Sequence, residues 1–191
     1  MKYNISVFVL SVLIIIYAAG CNDDTVNNGP TVSQETIDNE VAFGLYSAFS
    51  EIFSKIQFTP LINSDIHSIN IDTTIYSPIN GHAVIQGTLN FDTITQRIDI
   101  FLSMGFWNYA VSVSNNQTNL TYNGLTGFTG FVNQYTMNCT MKASMLYIKG
   151  KIGTQDIDIS CAIDLALNFN KTTLKGTITG NECGRNVDFS F

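Results

Sequence analysis

The apolar positions of the chain follow two different periods, and the change between them falls near Pro60. From Thr31 to about Gln57 apolar residues recur every three or four positions, which is the period of an amphipathic α-helix. Thr31 and Gln34 have the spacing of a capping box, and Pro60 stops the helix that this pattern predicts. Only Lys55 is basic on the polar face, which favours packing on a sheet over lying on a membrane surface. The predicted apolar stripe is Val41, Leu45, Ala48, Phe49, Ile52, Phe53 and Ile56.

After Pro60 the period is two, as in β-strands with one buried and one wet face, and residues 156–169 show it best. Gly87, Gly150 and Gly176 each lie between aliphatic residues at inward positions, where glycine lets a strand bend. The pattern predicts an α+β, mainly β, fold with one N-terminal amphipathic helix. This helix packs on a coiled antiparallel sheet or partial barrel of about eight to ten strands. Further inward runs are Ala83 to Phe91, Ile98 to Phe106, Trp107 to Val113 and Val187 to Phe191.

The first residues have the form of a secretory signal peptide. Lys2 is followed by an apolar run over residues 5–17 and then by small residues before Cys21. The run is shorter than the roughly 20 apolar residues that span a membrane. We therefore expect residues 1–20 to be removed on export.

The end of this leader, Ala18-Ala19-Gly20-Cys21, resembles the lipobox of bacterial lipoproteins and matches it at three of four positions. Ala18 departs from the pattern, because the family usually has leucine or another branched aliphatic residue there. The resemblance implies acylation of Cys21, with palmitate-type chains that hold the protein on a bacterial membrane, in the periplasm or at the cell surface. An ordinary signal peptidase site also fits these small residues. Polar residues 21–30 then form a flexible tether, and residues 31–191 form one domain.

Composition excludes two classes of protein. The chain is 45% hydrophobic and 13% charged, which is the reverse of the signature of disorder. Nine Lys and Arg face fifteen Asp and Glu, which gives a net charge of -6. Because this balance does not attract a phosphate backbone, nucleic acid is not expected as a partner.

Candidate chemistry is sparse, and no enzyme, cofactor or metal is expected. The histidines are His67 and His82, and no HExxH, GxSxG, GxGxxG or P-loop motif occurs. The two histidines could meet in space, but a third ligand or a nucleophile is missing. Asp156 and Asp158 share one strand face and could bind calcium or act as an acid and base pair, but a solvated strand face explains them as well.

The cysteines predict one disulfide. If Cys21 is lipidated, Cys139, Cys161 and Cys183 remain and at most one bond forms, whereas without lipidation the four cysteines could form two bonds. No C-x-x-C spacing suggests zinc or redox chemistry. A two-residue turn at Asn170-Lys171 would place Cys183 three residues beyond the position opposite Cys161. A turn next to Cys183 could fold it back, so we predict a bond between Cys161 and Cys183 and a buried free thiol at Cys139.

The segment of residues 124–131 carries a glycine at every third position and two phenylalanines, Phe128 and Phe131. One interpretation is a mobile loop that exposes both rings to a ligand or partner. The other is a bent or bulged strand whose aromatic side chains face the core.

Together these features favour an exported, membrane-anchored lipoprotein with a non-enzymatic binding or envelope-structural domain. Its expected contacts are the membrane, through the N-terminal lipid, and a hydrophobic ligand or protein partner. One alternative is a carrier or sensor of a hydrophobic small molecule held between helix and sheet, which requires a large apolar cavity there. Another is a secreted soluble protein cleaved at an ordinary signal peptidase site.

Overall fold

The computed structural model describes residues 32–56, 67–113 and 117–191. In this part of the chain one helix precedes eight strands. The helix, α1, is Gln34–Lys55. The strands are β1 Ser68–Tyr76, β2 His82–Asp92, β3 Arg97–Val113, β4 Thr118–Val132, β5 Thr136–Ile152, β6 Gln155–Asn170, β7 Lys175–Glu182 and β8 Arg185–Ser190.

The eight strands form one antiparallel sheet in which each strand pairs with its neighbour along the chain. The mainly β architecture, with one helix and an antiparallel sheet, agrees with the expectation of a coiled sheet or partial barrel. The sheet is open, because β1 and β8 stand at opposite ends of the strand order. A closed barrel requires its first and last strands to pair with a fixed stagger of the register. Here β8 has 6 residues, whereas the central strands β3 and β5 have 17 each.

The helix begins later than its sequence pattern suggested, and it is not N-terminal in the chain. Ser33 is the N-cap, and its Oγ accepts a hydrogen bond from the backbone N–H of Thr36 at 3.1 Å. This satisfies one of the free N–H groups of the first turn. Thr31, the cap expected from the sequence, lies outside the described residues.

Two bulges bend the sheet. In the first, Trp107 and Asn108 of β3 together oppose Asn123 of β4. In the second, Ser144 and Met145 of β5 occupy the place of one residue in the register with β4 and β6. A bulge increases the local twist and bends its strand. The sheet therefore curls around α1, which contacts β3, β4, β7 and β8.

Every residue of the predicted apolar stripe of α1 is buried. The ring of Phe49 stacks on that of Phe128 in β4, with 3.5 Å between centroids. The Tyr122 hydroxyl donates to the backbone carbonyl of Val41 at 2.9 Å and passes so close to Gly44 that a Cβ there would overlap it. Because the sheet wraps the helix, α1 buries a face broader than the stripe.

The β6–β7 hairpin does not have the two-residue turn expected at Asn170-Lys171. Four residues separate the paired positions Asn170 and Lys175, so Leu165 faces Gly180. The Asn170 side chain stabilises this loop, because its Oδ1 accepts the N–H groups of Thr172 and Thr173. The register of β7 against β6 therefore differs from the expected one by four positions. Because four is an even number, the same faces of both strands stay buried.

This longer loop brings Cys183 next to the position that faces Cys161. The structure contains a disulfide between Cys161 and Cys183, the pair predicted from the sequence, with 4.7 Å between their Cα atoms. The N–H of Cys183 donates to the carbonyl of Ala162 at 3.0 Å. Cys139 is buried as a free thiol, and burial raises its pKa to about 12, so it is not a reactive thiolate at neutral pH.

Candidate binding surface

The space between helix and sheet is filled by side chains in the described part of the chain. Val41, Ala48 and Ile52 of α1 are fully buried, as are Leu89 and Leu165 of the sheet. They belong to one continuous hydrophobic cluster that joins α1 to the sheet. This packing does not favour the carrier alternative, which requires an apolar cavity at the same place.

Phe128 and Phe131 lie on opposite faces of β4. Phe128 is fully buried against the helix, so the expectation that it is exposed to a ligand was wrong. The segment is a strand with a register irregularity between Gly124 and Gly127, as the second interpretation proposed. Phe131 is half-buried on the outer face, where the Arg97 guanidinium lies 4.8 Å from its ring centroid.

Large apolar side chains are exposed on the outer face of the sheet, which is the face away from α1. Phe101, 50% exposed, lies apart from the others on β3, between Thr88 and Thr129. The exposed fractions of the others run from 49% for Trp107 to 70% for Tyr76. Together with the partly exposed His82, they occupy neighbouring positions across β1 to β5. We call this set the outer aromatic band: Tyr76, His82, Trp107, Leu125, Met145 and Tyr147.

Three rings of the band form a row across three strands. Tyr76 pairs with His82, and His82 pairs with Trp107, in the register of β1, β2 and β3. The ring centroids are 5.7 Å apart in the first pair and 5.5 Å apart in the second, and the planes of His82 and Trp107 differ by 7°. The Trp107 indole covers Gly105, where any Cβ would overlap the ring. This packing holds the indole against the sheet.

The bulges place two members of the band outward. Trp107 lies in the bulge of β3 and Met145 in that of β5. Asn123 Oδ1 accepts the N–H of Asn108 at 2.7 Å and so ties β4 to the bulge of β3. Tyr147 pairs with Asn123 and continues the row to β5.

Charged residues flank the band in ion pairs between β5 and β6. Lys149 and Asp158 are 3.0 Å apart on one side, and Lys142 and Asp164 are 2.9 Å apart on the other. Asp158, a candidate for calcium binding or acid and base chemistry, is thus ion-paired on an exposed surface. The band itself contains no Asp, Glu, Lys or Arg.

A second feature of the sheet is a shallow groove of about 500 Å³ at the other end of β5 to β8. Asn138, Asn168, Thr177 and Ser190 line it and lie opposite one another on the four strands. Phe131 pairs with Asn138 and so borders the groove. Phe131 remains a candidate contact for a ligand.

The remaining sequence candidates are not brought together. His67 and His82 lie at opposite ends of the β1–β2 pair, so they do not form a joint site. No group of three or more His, Cys, Asp or Glu suited to a metal occurs among the described residues. Within the same residues, no helix is long and apolar enough to cross a membrane. Cys21 lies outside them.

The sequence contains a sign of the bulge that holds Trp107, but the alternation of apolar residues assigned Trp107 to the wrong face of the sheet. In the sequence the inward run ends at Phe106 and a new apolar alternation starts at Trp107, which shifts the pattern by one position. That shift marks the bulge: Tyr109 faces inward, but Trp107 faces outward. Trp107 was therefore wrongly expected on the inner face.

No protein-family model, curated protein or solved structure matches the chain.

Proposed function

We propose that this chain is an exported, membrane-anchored lipoprotein whose folded domain is a non-enzymatic binding module. One observation carries the binding part of the proposal: the interior is filled, whereas the outer face exposes a contiguous aromatic band. Exposed apolar patches of this kind mark interaction sites in soluble domains. The binding surface of the module is therefore the outer aromatic band.

The rigidity of the band supports this role. Trp107 is held by Gly105 beneath it and His82 beside it, and Asn123 ties the bulge to the next strand. Rigid aromatic side chains on a regular scaffold lose little conformational entropy when they bind. A ligand therefore meets a surface that is already ordered.

The export and anchoring part of the proposal rests on the leader and on Cys21. The disulfide between Cys161 and Cys183 supports it, since such bonds persist in oxidising compartments outside the cytosol. A lipid on Cys21 and a tether over residues 21–30 would leave the domain free to turn its outer face toward a ligand.

Metabolic labelling with a fatty-acid analogue tests the anchor. The wild-type protein should be labelled and membrane-bound, whereas Cys21→Ala should be unlabelled and released. Cys139→Ala is the matched control and should keep the label. Label that survives in Cys21→Ala excludes this anchor, and an unlabelled, released wild-type protein supports the secreted alternative.

Oxidative footprinting in intact cells tests the binding surface. Met145, Tyr147 and Trp107 should be oxidised more slowly in the cell envelope than in the purified protein. Tyr135, which is 59% exposed outside the band, is the internal control and should react equally in both. Equal oxidation of the band and of Tyr135 in cells would exclude the band as the binding surface.

A further inference from the structure

We infer that the outer aromatic band binds an uncharged polysaccharide chain; this inference rests on the proposed function, because it names the ligand of the same surface. Three observations carry it: the arrangement of the rings, the polar groups around them and the absence of acidic or strongly basic side chains.

The rings suit the apolar faces of sugar rings. Pyranose rings present patches of C–H groups on their faces, and these patches pack on aromatic rings through dispersion and the ring quadrupole. Tyr76, His82 and Trp107 repeat at the spacing of adjacent strands, about 5 Å. A chain of linked sugars that runs across the strands therefore meets one aromatic side chain after another.

Hydroxyl and amide side chains border the rings. Thr74 lies two residues before Tyr76 on the same outer face of β1, Ser160 pairs with Tyr147, and Asn108 is exposed beside Trp107. The hydrogen bond from the Asn108 N–H to Asn123 Oδ1 fixes the Asn123 amide group between Trp107 and Tyr147. These are groups that can donate to and accept from sugar hydroxyls.

Charge selects an uncharged chain. The band lacks Asp, Glu, Lys and Arg, and the nearest charged residues on β5 and β6 are paired with each other. Lys55, whose Nζ donates to the carbonyl of Tyr76, is paired with Glu51. The whole protein carries a net charge of -6. An anionic polymer would find no compensating cation on the band and would be repelled by the protein as a whole.

The shape of the band favours a linear polymer over a globular protein. The band is two rows of side chains wide and five strands long. A stable protein interface takes roughly 20 to 30 residues on each side, whereas the large apolar side chains in this strip are only the five exposed members of the band. A narrow strip of rings matches an extended chain.

Binding to defined polysaccharides tests the inference. The detergent-solubilised full chain is run in native gels that contain an uncharged α-glucan, an uncharged β-glucan, an uncharged mannan or anionic alginate. At least one uncharged polysaccharide should retard the protein, and alginate should not. Trp107 is the single tryptophan, so binding should also change the intrinsic tryptophan emission.

Variants locate the site. Trp107→Ala should weaken binding about tenfold or more, as expected for a central aromatic anchor. Tyr135→Ala, exposed outside the band, and Asn168→Ala, in the groove, should bind as the wild type does. Equal melting temperatures show that each variant is folded.

The outcomes separate the two proposals. If no uncharged polysaccharide binds while the band is protected in cells, the glycan inference fails and the binding surface stands. If the band is not protected either, both fail. Stronger binding to alginate overturns the charge argument, and loss of binding in Asn168→Ala but not in Trp107→Ala moves the site to the groove.

Discussion

Glu182, the last residue of β7, should make the stability of this protein fall as the pH rises. Its side chain is fully buried, and neither carboxyl oxygen has a hydrogen-bond partner. Arg185, opposite it on β8, makes hydrogen bonds of 2.7 and 2.8 Å to Asp38 on α1 instead. The pKa of Glu182 is raised to about 8, mainly by burial and also by the charge of Asp38, while the charge of Arg185 acts in the opposite direction. Glu182 is therefore mainly protonated at neutral pH.

The direction in which stability changes with pH follows from the linkage between folding and protonation. The folded protein holds the proton of Glu182 more tightly than the unfolded chain, whose ordinary pKa for this group is 4.5. Its stabilising effect is full below pH 4.5 and is lost as the pH rises through about 8. At about 1.4 kcal/mol per pKa unit, the loss is on the order of 5 kcal/mol over this range.

The other titratable groups near Glu182 affect stability outside the range from pH 4.5 to about 8. Burial alone would raise the pKa of Asp38, but hydrogen bonds from Arg185 and Gln34 and the charge of Arg185 outweigh it and lower that pKa. Asp38 therefore stabilises the fold above its ordinary pKa of 3.8, and this contribution is lost as the pH falls below its folded value. Burial, with the charges of Glu182 and Glu40, raises the pKa of Tyr122 well above 10. Stability should be greatest at mildly acidic pH.

Chemical denaturation of the wild type and of Glu182→Gln, at pH values from 4.5 to 9, measures the effect. The glutamine keeps the size of the side chain but does not titrate. The variant should therefore become more stable relative to the wild type as the pH rises. A difference in the free energy of unfolding that is the same at every pH reflects the new amide group. A difference that changes with pH reports the ionisation of Glu182. Asp188→Asn, an exposed position on β8, is the control and should follow the wild type. Parallel curves for Glu182→Gln and the wild type would refute the reasoning.

Two further predictions concern packing and the disulfide. Gly44→Ala should destabilise the protein by about 1 to 3 kcal/mol, because the new Cβ overlaps the Tyr122 hydroxyl. Tyr122→Phe removes that oxygen and should reduce the cost of Gly44→Ala in a double-mutant cycle; purely additive effects would contradict this contact. Reduction of the bond between Cys161 and Cys183, 22 residues apart, should cost about 3 kcal/mol in thermal unfolding. Mass spectrometry of a non-reduced digest should find that linkage, and a peptide that joins Cys139 to Cys161 would contradict the pairing.

The sequence by itself determined the local elements. A period of 3.6 identified the buried face of α1, because side chains three and four residues apart share one side of a helix. A period of two identified the inner face of β6 in the same way, from Ile157 to Phe169. These assignments depend only on near neighbours along the chain, so they could be made without knowledge of the tertiary structure.

The tertiary structure decided the features that depend on residues far apart in sequence. Whether the sheet closes depends on β1 and β8, which lie at opposite ends of the strand order. The burial of Phe128 depends on where α1 docks. Glu182 is left without a hydrogen bond because Arg185 bonds Asp38 on the helix instead.

Local pattern and tertiary structure meet at the bulge that contains Trp107. Alternation shows that the inward phase shifts by one residue there, but it does not show which residue the bulge absorbs. That choice is made by pairing with β4 across Asn123, and it turns the single tryptophan from the core to the outer face. The candidate binding surface therefore arises from strand pairing, which no local period of the sequence encodes.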